Sequence, residues 1–550
     1  MSHESTIGRY LLDRVAATGV RHVFGVPGDY NLAFLDQIEA HPDLTWVGNA
    51  NELNASYMAD GYARLNGLAM LLTTYGVGEL SAMNGIAGAY VENVPVLHVV
   101  GAPATAVQRR GLPVHHSLLD GDFEHFLRAA REITCAAVSL TADGAADQID
   151  RVLGAVLNAK KPGYLALPAD LVGWPCAASA PGLVPATDDG AAVHAFTENA
   201  ARMLRGATTV TVLVDSLTRR HWAGDRLDAL VRKGRLPVAV TTSGKGAVDE
   251  TLETFAGLYQ GAISEPEVRT LVEDADVIIG VGLLETDLNS GIFTTRIDPA
   301  KLIGIQPFHA TAGAARIGPL SMHRALDELG GLVGALPPAR VPAPVQPPVE
   351  PVDPDTPLRQ DLLWQRVGRF VRPGDVIAAD QGTAFYGLLS WRLPADVEVI
   401  GQHGWASIGH ALPALAGAQL ASSPRRRSIL LIGDGAVQLV VQELGVIARE
   451  GLDPIVFIVN NDGYTLERAI NGWNAAYNDI VNWDWTVLPA ALGADAHVSR
   501  ARTVGELDRA LAALPAHEGR LRIVEVILDK HDLPQILRIT AESVAKRNAA

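Results

Sequence analysis

The stretch GDGAVQLVVQELGVIAREGLDPIVFIVNND, Gly433 to Asp462, sets an aspartate between two glycines after one apolar run and two asparagines after the next. Asp434 and Asn461 offer a carboxylate and an amide oxygen. With backbone carbonyl and phosphate oxygens, these make the hard, oxygen-only shell that Mg²⁺ prefers. Gly433 and Gly435 leave room for a diphosphate to approach the backbone, and a helix expected from about Ala436 offers unpaired amides to it. Asp434 and Asn461 become neighbours if Ser428 to Ile432 and Ile455 to Val459 are adjacent parallel strands, since ligands of such sheets sit beyond the carboxyl ends. The intervening chain is long enough for the helical crossover that parallel pairing requires. GDG alone is more often a turn than a site; the order strand, GDG, helix, strand, NN is the specific signal.

Other polar residues stand in recognisable settings. Glu52 lies in NANELNASYMADGYAR, where by itself it reads as a charged residue on a helix. His115 and His116 are consecutive in GLPVHHSLLDGDF. Neighbours on a strand point to opposite faces, so the pair is poorly placed to chelate one metal unless a loop reorients it, and proton relay is the better functional reading. Asp29 in FGVPGDYNL and Glu467 in NNDGYTLERAI add two carboxylates, and Ile408 sits in the loop-like GQHGWASIGHALPALAGA.

These residues need elements to hold them. The chain has 550 residues, 48% of them apolar, with 53 glycines; that length exceeds one core and implies several domains. From Thr6 to about Asp170 helical patterns alternate with strands such as RHVFGV, VPVLHVVGA and PGYLALPAD, the mark of a parallel sheet covered by helices. After the loop-like WPCAASAPGLVPATDDG, four apolar runs, TVTVLVD, LPVAVTTSGKG, ADVIIGVG and KLIGIQP, predict a second such unit over 190–335. Nine prolines between Pro337 and Pro357 predict an extended linker over 336–357. A third unit, 358–550, has DVIAAD, RRSILLIGDG, DPIVFIVNND and LRIVEVIL as its strands. The expected fold is α/β, with three open parallel-sheet domains over 1–180, 190–335 and 358–550.

Composition excludes several classes. Acidic residues outnumber basic ones by 61 to 45, for a formal charge of -16, which argues against nucleic-acid and anionic-membrane partners. Apolar runs fall well short of the ~20 residues that span a bilayer. The start lacks a signal-peptide layout, so a soluble cytoplasmic protein is expected. Cys135 and Cys176 are too few for a disulfide framework and lack zinc-site spacing.

Taken together, the GDG to NN segment and the motifs around Asp29, Glu52, His115, His116 and Glu467 resemble the thiamine-diphosphate-dependent 2-oxo acid decarboxylases, in the branch of pyruvate, indolepyruvate and branched-chain enzymes. The resemblance runs through the first and third units nearly end to end. It implies thiamine diphosphate and Mg²⁺ as cofactors, with Asp434, Asn461 and the Gly463 carbonyl on the metal, and Gly433, Gly435, Ala436 and Tyr464 around the diphosphate. Glu52 would hydrogen-bond the aminopyrimidine and favour the imino tautomer that activates the cofactor, and Ile408 would prop the cofactor in its bent form. Asp29, His115, His116 and Glu467 would supply the acid and base groups that protonate the product. Their protons belong to a coupled set.

The resemblance further places Leu288, Gln381, Phe385 and Leu466 in the substrate pocket. A strict pyruvate pocket carries a bulky tryptophan that is absent here, which favours a branched aliphatic, aryl or indolyl side chain, as in 4-methyl-2-oxopentanoate, phenylpyruvate or indolepyruvate. Pyruvate decarboxylation is the alternative, and a carboligase resembling acetolactate synthase a weaker one, opposed by the histidine pair and the GYTLER segment. A catalytically silent α/β binding protein is opposed by the retained Glu52 and acid/base set. The family's architecture implies a homodimer, or a tetramer of two dimers, with Glu52 of one chain facing the GDG segment of another.

Overall fold

The computed structural model describes residues 5–176, 187–336 and 351–549. Most of the proline-rich linker and the middle of WPCAASAPGLVPATDDG lie outside the described residues.

Three sheets carry the chain. The first runs Thr45–Gly48, His22–Gly25, Ala69–Thr74, Val96–Ala102, Gly163–Pro168, Ala136–Ser139, every pair parallel. The third runs Glu398–Ile400, Val376–Ala379, Ser428–Gly433, Ile455–Asn460, Leu521–Ile527, Ala496–Ala501, again all parallel. Numbered by appearance, both sheets have the order 2-1-3-4-6-5. Their central strands are buried but for Gly433 at one strand end, and are mostly apolar, as strands covered on both faces are.

The middle sheet is wired differently. Its parallel strands, in the order Phe255–Leu258, Val238–Val240, Val210–Val214, Val277–Val281, Leu302–Ile305, end in an antiparallel edge, Ala310–Ala312 and Ala315–Ile317. That edge departs from the purely parallel expectation. Gly313, in the left-handed region at φ 59°, makes the tight reversal between the two short strands.

The first and third units meet through helices Glu52–Asn66 and Ala411–Ala421. Each follows the second strand of its sheet. Their backbones touch at two glycines: a Cβ at Gly61 would lie 1.8 Å from the carbonyl oxygen of Ala414, and one at Gly417 would lie 1.9 Å from that of Met58. Small residues permit this approach and dispersion contacts then multiply along both helices. Beside the glycines, Asp60 is fully buried between Arg64 (2.6 Å) and His410 (2.9 Å). Burial alone would raise its pKa, but those two partners hold the carboxyl well below the usual range. Arg64 also donates to the Gly401 carbonyl at 2.9 Å.

Gly61→Ala forces backbone apart at this seam, so its cost should exceed the ~1–3 kcal/mol of ordinary core overpacking. Thermal unfolding followed by circular dichroism should show a clear loss of stability for Gly61→Ala. Gly330→Ala, in a helix with open space around the new methyl, should unfold no earlier than the parent.

Candidate active site

All the sequence-predicted residues except Leu288, which lies in the middle unit after strand Val277–Val281, belong to the first and third units and lie past carboxyl ends of their strands. In the first sheet Asp29 follows strand His22–Gly25, Glu52 follows Thr45–Gly48, and the histidine pair follows Val96–Ala102. In the third, Gln381 follows Val376–Ala379, Ile408 follows Glu398–Ile400, Asp434 follows Ser428–Gly433, and Asn461 follows Ile455–Asn460. Each set surrounds the point where strand order reverses, the place where open α/β sheets form a crevice.

Strands Ser428–Gly433 and Ile455–Asn460 pair directly, with Gly433 opposite Val459, so the adjacency required of Asp434 and Asn461 holds. The helix starts at Asp434 itself rather than at Ala436. Asp434 is 2% exposed and accepts the Gly435 amide at 2.8 Å and the Gly463 amide at 3.1 Å. Among the described residues no cationic side chain pairs with it. Burial pushes its pKa up to about 6 against the opposing pull of the backbone amides; a cation would relieve that penalty. A Cβ at Gly433 would meet nothing within 4 Å, leaving the open approach a diphosphate needs, whereas one at Gly435 would strike the Tyr464 ring at 2.6 Å. Gly463, at φ 120°, admits no side chain because the Asn478 carbonyl lies 2.0 Å from the Cβ position. Of the two asparagines, Asn460 is tied to Glu525 at 2.8 Å, and Glu525 in turn to Arg500 at 2.5 Å. Asn461, the buried next residue, remains the candidate ligand. Donor chemistry and space therefore fit a Mg²⁺ diphosphate.

The histidines occupy a turn instead of a strand. His116 adopts φ 65°, a left-handed conformation uncommon for a residue other than glycine, and this brings both rings onto one carboxylate. His115 Nε2 lies 2.7 Å from Asp29 Oδ2 and His116 Nε2 3.9 Å from Asp29 Oδ1. Tyr30 stacks on His115 with centroids 5.0 Å apart, and its hydroxyl donates to the His115 carbonyl at 3.3 Å. The turn rests on Gly76, where a Cβ would sit 1.9 Å from the His116 carbonyl oxygen. Two residues on, Gly78 faces the Glu52 carboxylate, its Cβ position 3.1 Å from Oε1. Glu52 is half-buried at the start of its helix, with no side-chain hydrogen-bond partner among the described residues, and burial raises its pKa.

Ile408 packs at the edge of the core between the two units. The Asp380 carboxylate holds its loop, accepting the Gly409 amide at 3.0 Å and the Ala411 amide at 3.0 Å. Gln402 accepts the Ser407 amide at 2.9 Å, and Tyr57 bonds the Ser407 hydroxyl at 2.7 Å. Asp380 escapes sequence reasoning because its partners are backbone amides some thirty residues away, and Gln402 because its bond to Ser407 closes an irregular loop with no periodic pattern; the one local signal is an acid ending the apolar run DVIAAD.

Of the expected pocket residues, Phe385 is buried against His403, centroids 5.3 Å apart. His403 bonds Thr242 at 2.7 Å, and Thr242 bonds Asn289 at 2.6 Å, next to Leu288. Gln381 donates to the Gln402 carbonyl at 3.0 Å. Leu466 and exposed Glu467 lie on helix Thr465–Ile470, which packs on the C-terminal helix Gln535–Ala549. Arg547 of that helix pairs with Asp287 at 2.7 Å, clipping it to the Leu288 loop. Sequence reasoning missed this closure, since nothing local marks the last helix as a neighbour of the middle unit.

The structure thus gathers Asp29 with both histidines, and Asp434 with the turn at Gly463. Among the described residues no hydrogen bond or ion pair joins the first group, or Glu52, to Asp434, Asn461 or Glu467. Apolar side chains stand exposed next to both groups: Val77, Leu80, Leu439, Tyr477 and Val481.

Comparison with known proteins gives three domain matches. The thiamine pyrophosphate enzyme N-terminal TPP binding domain matches residues 5–123, the central domain 197–327, and the C-terminal TPP binding domain 385–526. An alpha-keto-acid decarboxylase of Mycolicibacterium paratuberculosis is 49% identical over 541 residues, covering 97% of this chain and 95% of the relative. That of Mycobacterium avium is 48% identical over 545 residues, with 97% and 95% covered, and that of Mycobacterium tuberculosis H37Rv 48% identical over 546 residues, with 98% and 97% covered.

One buried carboxyl next to the histidine turn makes a pH prediction. Glu79 accepts the Gly76 amide at 2.8 Å and the Tyr164 hydroxyl at 2.8 Å, and burial pushes its pKa up to about 7 despite both bonds. A carboxyl raised in the folded state lends stability that is complete below its unfolded pKa and is lost as pH rises through about 7. Neutral glutamine can keep both contacts. Glu79→Gln should therefore melt later than the parent at alkaline pH, by up to ~3 kcal/mol, with the gain shrinking to nothing as pH falls towards 5; thermal melts across pH measure it.

Proposed function

Because this chain belongs to the thiamine-diphosphate-dependent 2-oxo acid decarboxylases, we propose that it converts a 2-oxo acid with a branched aliphatic, aryl or indolyl side chain to the aldehyde and CO₂, with Mg²⁺. The observation that carries the metal is Asp434: a buried carboxylate, short of a cation, beside the open space at Gly433. The relatives named alpha-keto-acid decarboxylase support the reaction class. In this reading residues 1–180 bind the aminopyrimidine, 358–550 the diphosphate, and 190–335 lend Leu288 to the pocket across the linker 336–357.

Asp434, Asn461 and the Gly463 carbonyl would hold Mg²⁺ on the diphosphate, with Gly433, Gly435, Ala436 and Tyr464 shaping its cradle. Bound thiamine diphosphate supplies the electron sink that takes the pair left behind as CO₂ departs. Glu52 has the properties its role needs: half-buried, shifted upward by burial, and with no other side chain bonded to it among the described residues, it can hold a proton on a ring nitrogen. Ile408, clamped through Gly409 and Ala411 to Asp380, would fix the bent form of the cofactor. Asp29, His115, His116 and Glu467 are the groups proposed to carry protons to the product.

The separation of the two residue groups within one chain, and the exposed apolar side chains beside each, support a dimer in which the first unit of one protomer covers the third unit of its partner. A dimer or paired-dimer tetramer is the assembly proposed on this arrangement. Phe385, Leu288, Leu466 and Gln381 would form an apolar pocket with one amide. A single methylene in such a pocket changes selectivity by only ~1–3 kcal/mol, which leaves preference among the larger 2-oxo acids to experiment.

Assayed with thiamine diphosphate and Mg²⁺ for both CO₂ and aldehyde, 4-methyl-2-oxopentanoate, phenylpyruvate or indolepyruvate should outperform pyruvate in kcat/KM; the reverse order would refute the pocket assignment, and an acyloin as main product would refute the aldehyde route. Glu52→Gln should still bind the cofactor by calorimetry yet lose at least ~100-fold in turnover, and undiminished aldehyde production would remove Glu52 from its role.

A further inference from the structure

The geometry points to a second metal site in this chain, made by Asp29, His115 and His116 and suited to Zn²⁺, whose occupation stops turnover. The binding claim stands on geometry alone; the inhibitory claim rests on the acid/base role proposed above for the same three residues.

One donor atom from each residue lies within 4.8 Å of the others. Two imidazole nitrogens and a carboxylate oxygen are ligands that zinc and related borderline ions accept with three protein positions filled and a fourth open. Mg²⁺ prefers an all-oxygen shell, which the Asp434 and Asn461 end supplies. The chain therefore presents two sites of different hardness, and donor type assigns a different ion to each.

The three ligands are also held in place before any ion arrives. His116 is locked at φ 65° with its carbonyl against Gly76, so the turn cannot relax into the extended form that would part the rings. The rings themselves meet edge to face at 4.7 Å. Tyr30 fixes His115 from behind by stacking and by its hydroxyl bond. All three side chains are open within the single chain, with 48% of Asp29, 60% of His115 and 30% of His116 exposed, and in the dimer proposed above they face the space that the substrate enters, which gives a hydrated ion the same route.

Coordination changes what these groups can do. Zinc takes a lone pair from Nε2 of each ring, so any proton there moves to Nδ1 or to solvent. It takes from Asp29 the oxygen that otherwise bonds His115. No covalent bond forms or breaks and no electron is transferred; the nitrogens simply cease to be available to carry a proton to the product.

Cobalt(II) is the probe, because nitrogen-ligated Co²⁺ absorbs in the visible where Mg²⁺ and Zn²⁺ are silent. The full-length protein, saturated with thiamine diphosphate and excess Mg²⁺ to keep the Asp434 end filled, is titrated with Co²⁺. The expected result is an absorption band that saturates at one ion per chain, disappears on adding Zn²⁺, and grows in step with loss of turnover. His115→Gln and His116→Gln should each weaken Co²⁺ uptake at least ~10-fold, with circular dichroism confirming that they fold and calorimetry that they still bind cofactor. Absence of a saturable band, or a band unchanged in both variants, overturns the site. Saturable uptake with undiminished turnover overturns the inhibitory claim and counts against the acid/base role of the three residues. Because uptake is read by absorption, the site is decided even if no 2-oxo acid is turned over.

Discussion

The contact on which the rest of the molecule depends is the approach of two helix backbones at Gly61 and Gly417. Helix Glu52–Asn66 begins with one candidate functional residue, and Ala411–Ala421 follows the loop that carries another, Ile408. Any gap opened between these helices would move both. Polar groups reinforce the packing: the buried Asp60 with Arg64 and His410, and Glu443, whose carboxylate accepts the Ala50 amide at 3.1 Å and the Asn49 amide group at 3.3 Å. Partnered in this way they fix one relative placement of the units, where an apolar seam alone could slide.

Two buried carboxylates show how environment separates structure from function. Asp60 has a guanidinium and an imidazole against it and is held below the usual carboxylate range. Asp434 has only backbone amides and is pushed up. Burial is nearly the same, 0% and 2% exposed; the difference is the cationic side chains, which Asp60 has and Asp434, among the described residues, does not. Asp60 is paired with cations within the chain, whereas Asp434 is the carboxylate for which we propose a bound cation.

Much of this was legible in the sequence, where local rules decide. The GDG to NN segment reveals its strands, its crossover and the adjacency of Asp434 and Asn461, because buried parallel strands leave continuous apolar runs and glycines mark close approach. The short strands Glu398–Ile400 and Phe255–Leu258, and the antiparallel edge at Ala310–Ile317, were missed: three or four residues give no usable periodicity. The histidine turn was misleading for a physical reason. Adjacent residues diverge on a strand, and nothing in GLPVHHSLLDGDF announces that His116 takes a positive φ. Asp380 and His403 act through partners distant in sequence, and the clip from Arg547 to Asp287 spans two units. Such contacts exist only once the fold is made.

The matching strand order of the first and third sheets reaches further than architecture. Gly61 meets the carbonyl three residues before Gly417, and Gly417 meets the carbonyl three residues before Gly61, so the seam has the reciprocity of a twofold axis within a single polypeptide. Glu52 stands nine places before Gly61, and Ile408 nine places before Gly417. The two sheets therefore present equivalent positions beside one seam, one carrying a charge and the other a branched hydrocarbon. A near-twofold arrangement of backbone thus holds two unlike side chains at matching offsets, so that one rigid seam fixes the positions of both.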